Sequence, residues 1–258
     1  MTAGIDRPVV RWVNESTVRS AVLSRVADEQ TTTALLIEGI EASESAVYAA
    51  LKDLGRRDLI AEREEEWTVT GRGQLVTDLI DQQRATEQLF ADDPEYWRSH
   101  DVSVLPARFR QRLGELTGGD VIRRTDTDPR RVIREVSNRI ADADHTQILA
   151  PIYTDEYATA MPDSEQSRLL LSQQVVEEAL EETVTNPAAE EPDETEIRIG
   201  EAPVGLTVVP DAVMVSFPTL DGSYDPGSEI LVETDAAREW GSHLFEYYWE
   251  RAMPVPGR

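Results

Sequence analysis

The stretch ASESAVYAALKDLGRRDLIAEREEEWTVTGRG, residues 42–73, changes its apolar period part-way along. Up to Leu54 the apolar residues Val47, Ala50, Leu51 and Leu54 recur three and four apart, the spacing of one buried helical stripe. Ser43 stands where an N-cap is needed and Glu44 falls in the first turn. After Gly55 the segments LIAER and EWTVT alternate with period two around acidic turn residues, which puts Trp67 and Val69 on one face of a hairpin. A helix that feeds directly into a two-stranded hairpin leaves few folds open. Upstream, Asn14 or Ser16 can cap a helix carrying Val18, Ala21, Val22 and Val26, and Thr31 to Thr33 precede a short apolar helix, ALLIEGI. Three helices and then a hairpin is the order of an α+β winged helix-turn-helix, whose third helix enters the DNA major groove. This domain is expected over residues 1–73.

On the third helix, the face opposite the buried stripe presents Ser45, Tyr48, Ala49, Lys52 and Arg56. Hydroxyls bond to phosphate or base edges, a methyl meets thymine, and an ammonium meets guanine or phosphate. Ser43, Ser45, Tyr48, Ala49, Lys52 and Arg56, joined by Arg63 of the hairpin, are therefore the expected contacts to double-stranded DNA. Lys52 is the single lysine of the chain. The wing is unusual: Glu62, Glu64, Glu65 and Glu66 surround Arg63, and phosphate repels such a tip at low salt.

Charge bounds the setting. The chain carries 50 acidic against 25 basic residues, a net charge of −25. Residues 1–90 hold 10 basic and 16 acidic side chains and residues 91–258 hold 15 and 34, so the front is the less acidic part. An acid-rich, lysine-poor surface suits a cytoplasm at molar salt, where the Debye length falls to about 3 Å and repulsion from DNA is screened. A halophilic, cytoplasmic protein is the expectation, since no apolar run reaches the roughly 18 residues that span a bilayer and no secretory leader opens the chain. The absence of cysteine excludes disulfides, thiol catalysis and thiolate metal sites. His100, His145 and His243 lie far apart, so neither a metal nor another cofactor is expected.

Residues 74–94, with Leu75, Val76, Leu79, Ile80, Leu89 and Phe90, form a connecting helix that can also pair two chains into a homodimer. From residue 95 helices and strands alternate: a helix over 104–117, a strand near 120–124, a helix near 130–142, the strand QILAPIY, RLLLSQQVV as a strand entering a helix, then IRIG, LTVVP, AVMVSFPT and EILVET as strands, closed by the helix AREWGSHLFEYYWERAM. Residues 95–258 are expected to be an α/β effector domain. The segment EEALEETVTNPAAEEPDETE, residues 177–196, reads as a helix end running into a solvated loop.

Three features of this rear part are candidates for an unidentified small-molecule effector. The turn RRTDTDPRR sets Arg123 and Arg124 opposite Arg130 and Arg131, and guanidinium forks bind carboxylate and phosphate, so Arg123, Arg130 and Arg131 suggest an anionic ligand; internal ion pairing is the other reading. In APIYTDEY, Tyr153 ends a strand and Tyr157 lies one helical turn on, at the strand edge where open α/β sheets bind ligands. In LDGSYDPG, Asp221 and Tyr224, with Asp225, can line a pocket or serve the turn. His100 and Asp101 are read as a cap for the following helix.

These residues also carry a resemblance. SESAVYAALKDLGRRDLI followed by EEWTVTGRGQLV resembles the winged helix-turn-helix of haloarchaeal transcription regulators. WRSHDVSVLPARFRQRLGEL, TDTDPRRVIREVSNRI, ILAPIYTDEYATAMP and LDGSYDPGSEILVETDAAREWGSHLFEYYWERA resemble the effector domain of the archaeal methanogenesis and filament-formation regulators, across nearly all of residues 95–254. The resemblance implies a one-component regulator that reads DNA in front and senses a signal behind. The chain departs from the simple pattern in its acidic wing and in a recognition face without arginine in its first two turns. Strands closed by an aromatic helix are similar, too, to the phospholipase D-like sensor domains of related regulators. The catalytic form of that domain needs a histidine and a lysine two apart, which a chain whose one lysine is Lys52 does not have. GxSxG, P-loop and dinucleotide fingerprints are absent as well, so a non-catalytic domain is expected and not an enzyme. The alternative is a winged-helix module that docks on the transcription machinery without reading DNA.

Overall fold

The computed structural model describes residues 8–152, 154–162, 164–176 and 195–255; Tyr153 and most of the acidic segment 177–196 lie outside them. The described residues divide into two compact units, 1–84 and 85–258.

In the front unit, α1 (Val9–Asn14) and α2 (Thr17–Asp28) are followed by β1 (Thr31–Thr32), α3 (Thr33–Gly39), α4 (Glu44–Gly55), β2 (Ile60–Arg63) and β3 (Glu66–Val69). Side-chain caps start the helices: Ser16 accepts from Arg19 N, Thr32 from Leu35 N and Ser43 from Ala46 N. Each satisfies an otherwise orphaned amide, a contribution of about 1 kcal/mol. The three strands pair in the order β1-β3-β2. Val47, Leu51 and Leu54 of α4 pack with Val22, Leu23 and Val26 of α2, Leu36 of α3, and Leu59 and Ile60 at the hairpin. The helices and hairpin expected from the sequence are thus present; α1 and β1 were not foreseen. Trp67 is pinned at its polar end, where Nε1 donates to Thr33 Oγ1 at 2.9 Å.

From the hairpin the chain turns into α5 (Gly71–Asp92). Gly73 is required here: a Cβ would stand 1.9 Å from the carbonyl oxygen of Leu59. The sequence placed boundaries at 73/74 and 94/95, with the connecting helix between them; the compact units instead divide within α5, between Arg84 and Ala85. Val76 and Ile80 are core residues of the front unit, whereas Leu89 belongs to the rear core.

The rear unit begins with α6 (Pro94–Ser99) and α7 (Ala107–Arg110), then a 3-10 turn over Leu113–Leu116. The single helix expected over 104–117 is interrupted at Gln111–Arg112, although Leu105, Phe109, Leu113 and Leu116 are all buried as its period requires. Gly114 is pressed against α5, where a Cβ would come 2.8 Å from Ala85 Cβ and 3.0 Å from Thr86 N, so packing breaks the helix.

There follow β4 (Asp120–Arg123), α8 (Arg131–Ala141), β5 (Gln147–Ala150), α9 (Asp155–Ala160), β6 (Arg168–Ser172), β7 (Glu196–Gly200), β8 (Gly205–Val208), β9 (Val213–Ser216), β10 (Ser228–Val232), α10 (Asp235–Trp249) and β11 (Met253–Pro254). Among the described residues the strands form one mixed eight-stranded sheet, ordered β11-β7-β6-β5-β8-β9-β10-β4. β5, β6 and β7 run parallel, and β8, β9, β10 and β4 pair antiparallel. Alternate residues feed two cores. Leu149, Leu170, Val213, Val215 and Ile230 pack under Trp240, Leu244 and Phe245 of α10. Ile148, Met214, Leu169 and Leu231 face Val132, Val136 and Ile140 of α8, with Tyr157 of α9. The α/β expectation is met by helices on both faces of this sheet.

Candidate functional site

Two sets of residues stand out, one exposed and one buried. In the front unit α4 buries Val47, Ala50, Leu51 and Leu54 and leaves Ser45, Tyr48, Ala49 and Lys52 exposed, Tyr48 by 52%. Ser43, besides capping α4, lies 3.1 Å from Ser45 by their hydroxyls. Arg56 is exposed beyond the helix end, 3.8 Å from Asp53, and Arg57 stacks over Trp12 at 4.1 Å. Arg63 is exposed at the end of β2.

The hairpin is tight: Arg63 pairs with Glu66, which leaves Glu64 and Glu65 as the two-residue loop. Both have positive φ, 51° and 69°. That is the type I′ geometry normally given to Asn-Gly, because L side chains are disfavoured there. Two carboxylates therefore occupy the tip in place of the residues that would form it most easily.

The buried set lies on the α8 face of the rear sheet. β8, β9 and β10 place Gly205 opposite Ser216, and the next step of the β9–β10 register sets Ser216 opposite Glu229. This row carries an acid in the middle of an apolar sheet: Glu229 is 4% exposed and Ser216 0%. Gly205 makes the space, since a Cβ there would stand 2.5 Å from Ser216 Oγ and 3.4 Å from Tyr224 Oη. A cavity of about 30 Å³ opens over the row, lined by Gly205, Glu229, Tyr224, Tyr157 and Ala150 to Ile152, with Val136 and Ile140 of α8 on its far side. It lies at the end of β5 where α9 begins, Thr154 capping that helix by accepting from Tyr157 N.

The electrostatics follow from burial. Glu229 is pushed up to about 8 by loss of solvent, a rise that the Ser216 hydroxyl opposes and the Asp225 charge reinforces. Burial likewise raises the phenols of Tyr157 and Tyr224, with the nearby Glu229 charge adding to both. The Ser216 hydroxyl lies beside both Glu229 and Tyr224 and favours the ionised form of each, against the larger effect of burial.

Beside this row sits a second buried cluster. His100 stacks on Tyr96 with ring centroids 3.8 Å apart, and its Nδ1 lies 2.8 Å from the Tyr96 carbonyl oxygen. Its Nε2 faces Asp225 Oδ2 at 3.2 Å and Ser228 Oγ at 3.4 Å, and Ser228 Oγ donates to the same Asp225 oxygen at 2.5 Å. Burial draws the Asp225 carboxyl upward, but hydrogen bonds from Ser228 and Gly227 N and the pairing with His100 outweigh it and hold the group below its ordinary value. A Ser-His-Asp triad uses opposite ring nitrogens for base and acid; here serine and aspartate share Nε2, so the cluster does not activate a nucleophile. It ties α6 to the β9–β10 connection. The capping role read for the pair is not seen: α7 starts after Pro106 without a side-chain cap, Asp101 accepts from Ser103 N at 2.7 Å within the turn that precedes it, and His100 is buried.

The sequence-expected ligand residues separate. Tyr157 and Tyr224 line the cavity. Asp221 is exposed and holds the 220–227 turn by accepting from Thr219 Oγ1 and Ser223 N. Arg123 pairs with Asp93 at 2.6 Å, which holds that carboxyl below its usual range, and Arg130 pairs with Glu156. Arg131 opens α8 as an exposed residue. The arginines thus do not converge on the cavity, and their acids explain where Arg123 and Arg130 point. Glu229, Ser216 and Gly205 had no local signal: the alternation in SEILV marks a strand, and nothing in it marks the acid as the cavity floor.

With this geometry in hand, comparison with known proteins is informative for the rear unit. Residues 129–251 match the model of the FilR1 middle domain, described as methanogenesis regulatory protein FilR1, middle domain. That segment contains α8, α9, α10, the sheet from β5 to β10 and every residue of the cavity. The methanogenesis regulatory protein FilR1 of Methanothrix harundinacea (strain 6Ac) is 19% identical over 222 residues, 82% of this chain and 50% of that protein. The chain thus spans about half the length of this curated relative. Among solved structures, the archaeal chromatin protein TrmBL2, whose structure is described as showing a novel mode of DNA binding, aligns at 13% identity over 95% of this chain and 98% of its own, with a TM-score of 0.39. An IclR transcriptional regulator from Alicyclobacillus acidocaldarius aligns at 12% identity over 90% and 96%, with a TM-score of 0.24. Superpositions this loose decide neither fold nor function. Among the described residues no helix is long and apolar enough to cross a membrane, and no three His, Asp or Glu side chains converge to hold a metal ion.

Proposed function

We propose that the chain is a sequence-specific, DNA-binding transcription regulator, with a winged helix-turn-helix in the front unit and a non-catalytic, phospholipase D-like effector domain behind it that senses a small molecule. The observation that carries this reading is the solvent face of α4. Ser45, Tyr48, Ala49 and Lys52 project from a helix whose other face is fully committed to the core. A helix of 12 residues held this firmly and armed with short polar groups, a phenol and an ammonium suits the major groove. The similarity of residues 129–251 to the middle domain of a regulatory protein supports the regulator reading from the other end of the chain.

The acidic hairpin tip shapes how such binding works. Glu64 and Glu65 repel phosphate, so affinity rests on α4, with Arg56 and Arg63 as flanking phosphate contacts, and is strongest where salt screens the acids. In this reading the protein works in a saline cytoplasm and acts as a homodimer. Leu75 and Leu79 of α5, exposed by 67% and 53% one turn apart, are its pairing residues, while Val76 and Ile80, about 100° further round the helix, are buried in the front core.

The test is selection of genomic DNA fragments by the purified protein in roughly 2 M KCl, where repulsion between acids and phosphate is screened. Enrichment of a defined motif is the expected result. The tip acids also favour one second reading, a module whose acidic hairpin docks on a basic protein surface. A folded protein that enriches no motif but retains a stoichiometric protein partner would establish that reading instead.

A further inference from the structure

The cavity over the Gly205–Ser216–Glu229 row holds an acid with no base beside it. Among the described residues, those lining it include no arginine, lysine or histidine. Among the described residues, the polar side chains near Glu229 are the Ser216 hydroxyl, the Tyr157 and Tyr224 phenols and the Asp225 carboxylate, which is already paired with His100 and Ser228; Thr207 lines the same cavity, and α8 contributes only Val136 and Ile140. Buried carboxylates are ordinarily paired, and an isolated one keeps its proton to avoid the cost of an unpaired charge. Ser216 stands fully buried beside this acid and Tyr224, where Gly205 leaves room for its hydroxyl. An anion has no place beside two carboxylates. Size sets the next limit: a cavity needs about 10–15 Å³ to hold one water, so one of about 30 Å³ accepts about two heavy atoms.

We propose that this cavity binds a small cation bearing a protonated nitrogen, an ammonium or methylammonium group, with the Glu229 carboxylate as counter-charge and the oxygens of Ser216, Tyr157 and Tyr224 as hydrogen-bond acceptors. Binding exchanges the carboxyl proton for the charge of the ligand, so one proton leaves for each cation taken up by the neutral acid. The effector role of the site rests on the reading of the rear unit as a sensor; the binding itself does not. The class of ligand is the opposite of the anion that the arginine turn suggests.

The experiment uses the full chain at fixed ionic strength in KCl, titrated with methylammonium chloride and followed by calorimetry and by the near-ultraviolet signal of its tyrosines. Saturable binding is expected, with proton release and tighter association at pH 9 than at pH 6. Glu229→Gln is expected to weaken binding at least tenfold, and Ser216→Ala, which keeps the acid and removes less from the sheet, several-fold. No saturable signal, an equal response from Glu229→Gln shown to be folded, or the same response to added KCl overturns the proposal. Glu229-dependent binding that leaves DNA affinity unchanged supports this site and overturns the sensor role. A shift in DNA affinity on adding methylammonium that is equal in wild type and Glu229→Gln supports the sensor role and overturns this cavity as its seat.

Discussion

The exposed face of α4 and the buried row of the rear sheet use polar side chains in opposite ways. Ser45, Tyr48 and Lys52 stand in water on a helix whose stability comes entirely from its other side, so they can be exchanged at little cost to the fold. Glu229 and Ser216 are embedded in the packing itself, and the sheet depends on their protonation and partners. The first set is free of structural duty, and the second is part of the packing. Each of the following measurements presses on that contrast.

The largest effect is expected in the rear core. Trp240 is fully buried and its Nε1 donates to the Phe109 carbonyl oxygen at 3.1 Å, so Trp240→Ala should cost about 3–5 kcal/mol in denaturant unfolding. Tyr48→Ala, also loss of a large aromatic, should stay within about 0.5 kcal/mol. Equal costs for the two would break the contrast.

The next effect is one of pH. The Glu229 carboxyl is raised from 4.5 to about 8 in the folded chain, so between these values the native state holds a proton that the unfolded state has lost. Its contribution is complete below pH 4.5 and declines by about 1.4 kcal/mol per unit until pH 8. Glu229→Gln, which stays neutral, should flatten this part of the profile and gain a few kcal/mol at pH 8 relative to wild type. Parallel profiles for the two proteins would mean that the acid is ionised and paired when the protein folds.

On α4 the effect moves from stability to binding. Lys52→Glu should weaken operator binding by about 1–3 kcal/mol and leave the melting temperature within a degree or two, checked by titration on the selected DNA motif. Unchanged binding would take α4 out of the interface.

The smallest effect is at the hairpin. Glu64→Asn combined with Glu65→Gly fits the positive φ values of the loop and should stabilise the front unit by about 1 kcal/mol. If the tip faces DNA, the same pair of changes also raises affinity more at low salt than at high salt. A salt-independent effect would place the tip away from the phosphates.

Much of the front unit was legible because its signals are local. Ser43 caps α4 three residues from the amide it serves, and Val47, Ala50, Leu51 and Leu54 declare the buried side within three turns. The period-two segments around Glu64 and Glu65 likewise announced the hairpin, although not the positive φ at its tip. In the rear unit the strands were readable one at a time, from QILA to EILV, but the helix over 104–117 was not, since Gly114 breaks it to meet Ala85 in another element. The paired arginines were visible and their partners were not: Asp93 lies 30 positions before Arg123, and Glu156 is 26 beyond Arg130.

What the sequence determined by itself was therefore the class of most elements, the side of α4 left to solvent and the surplus of acid, because caps, periods and charge counts depend on neighbours a few residues apart. The tertiary structure alone decided that Glu229 is a buried acid with a cavity above it. That outcome depends on the register of β8, β9 and β10, on the missing side chain of Gly205 and on phenols brought in by α9 and by the connection between β9 and β10. A one-residue slip in register would turn Glu229 to the other face of the sheet, and no local spacing within SEILV encodes which face that is.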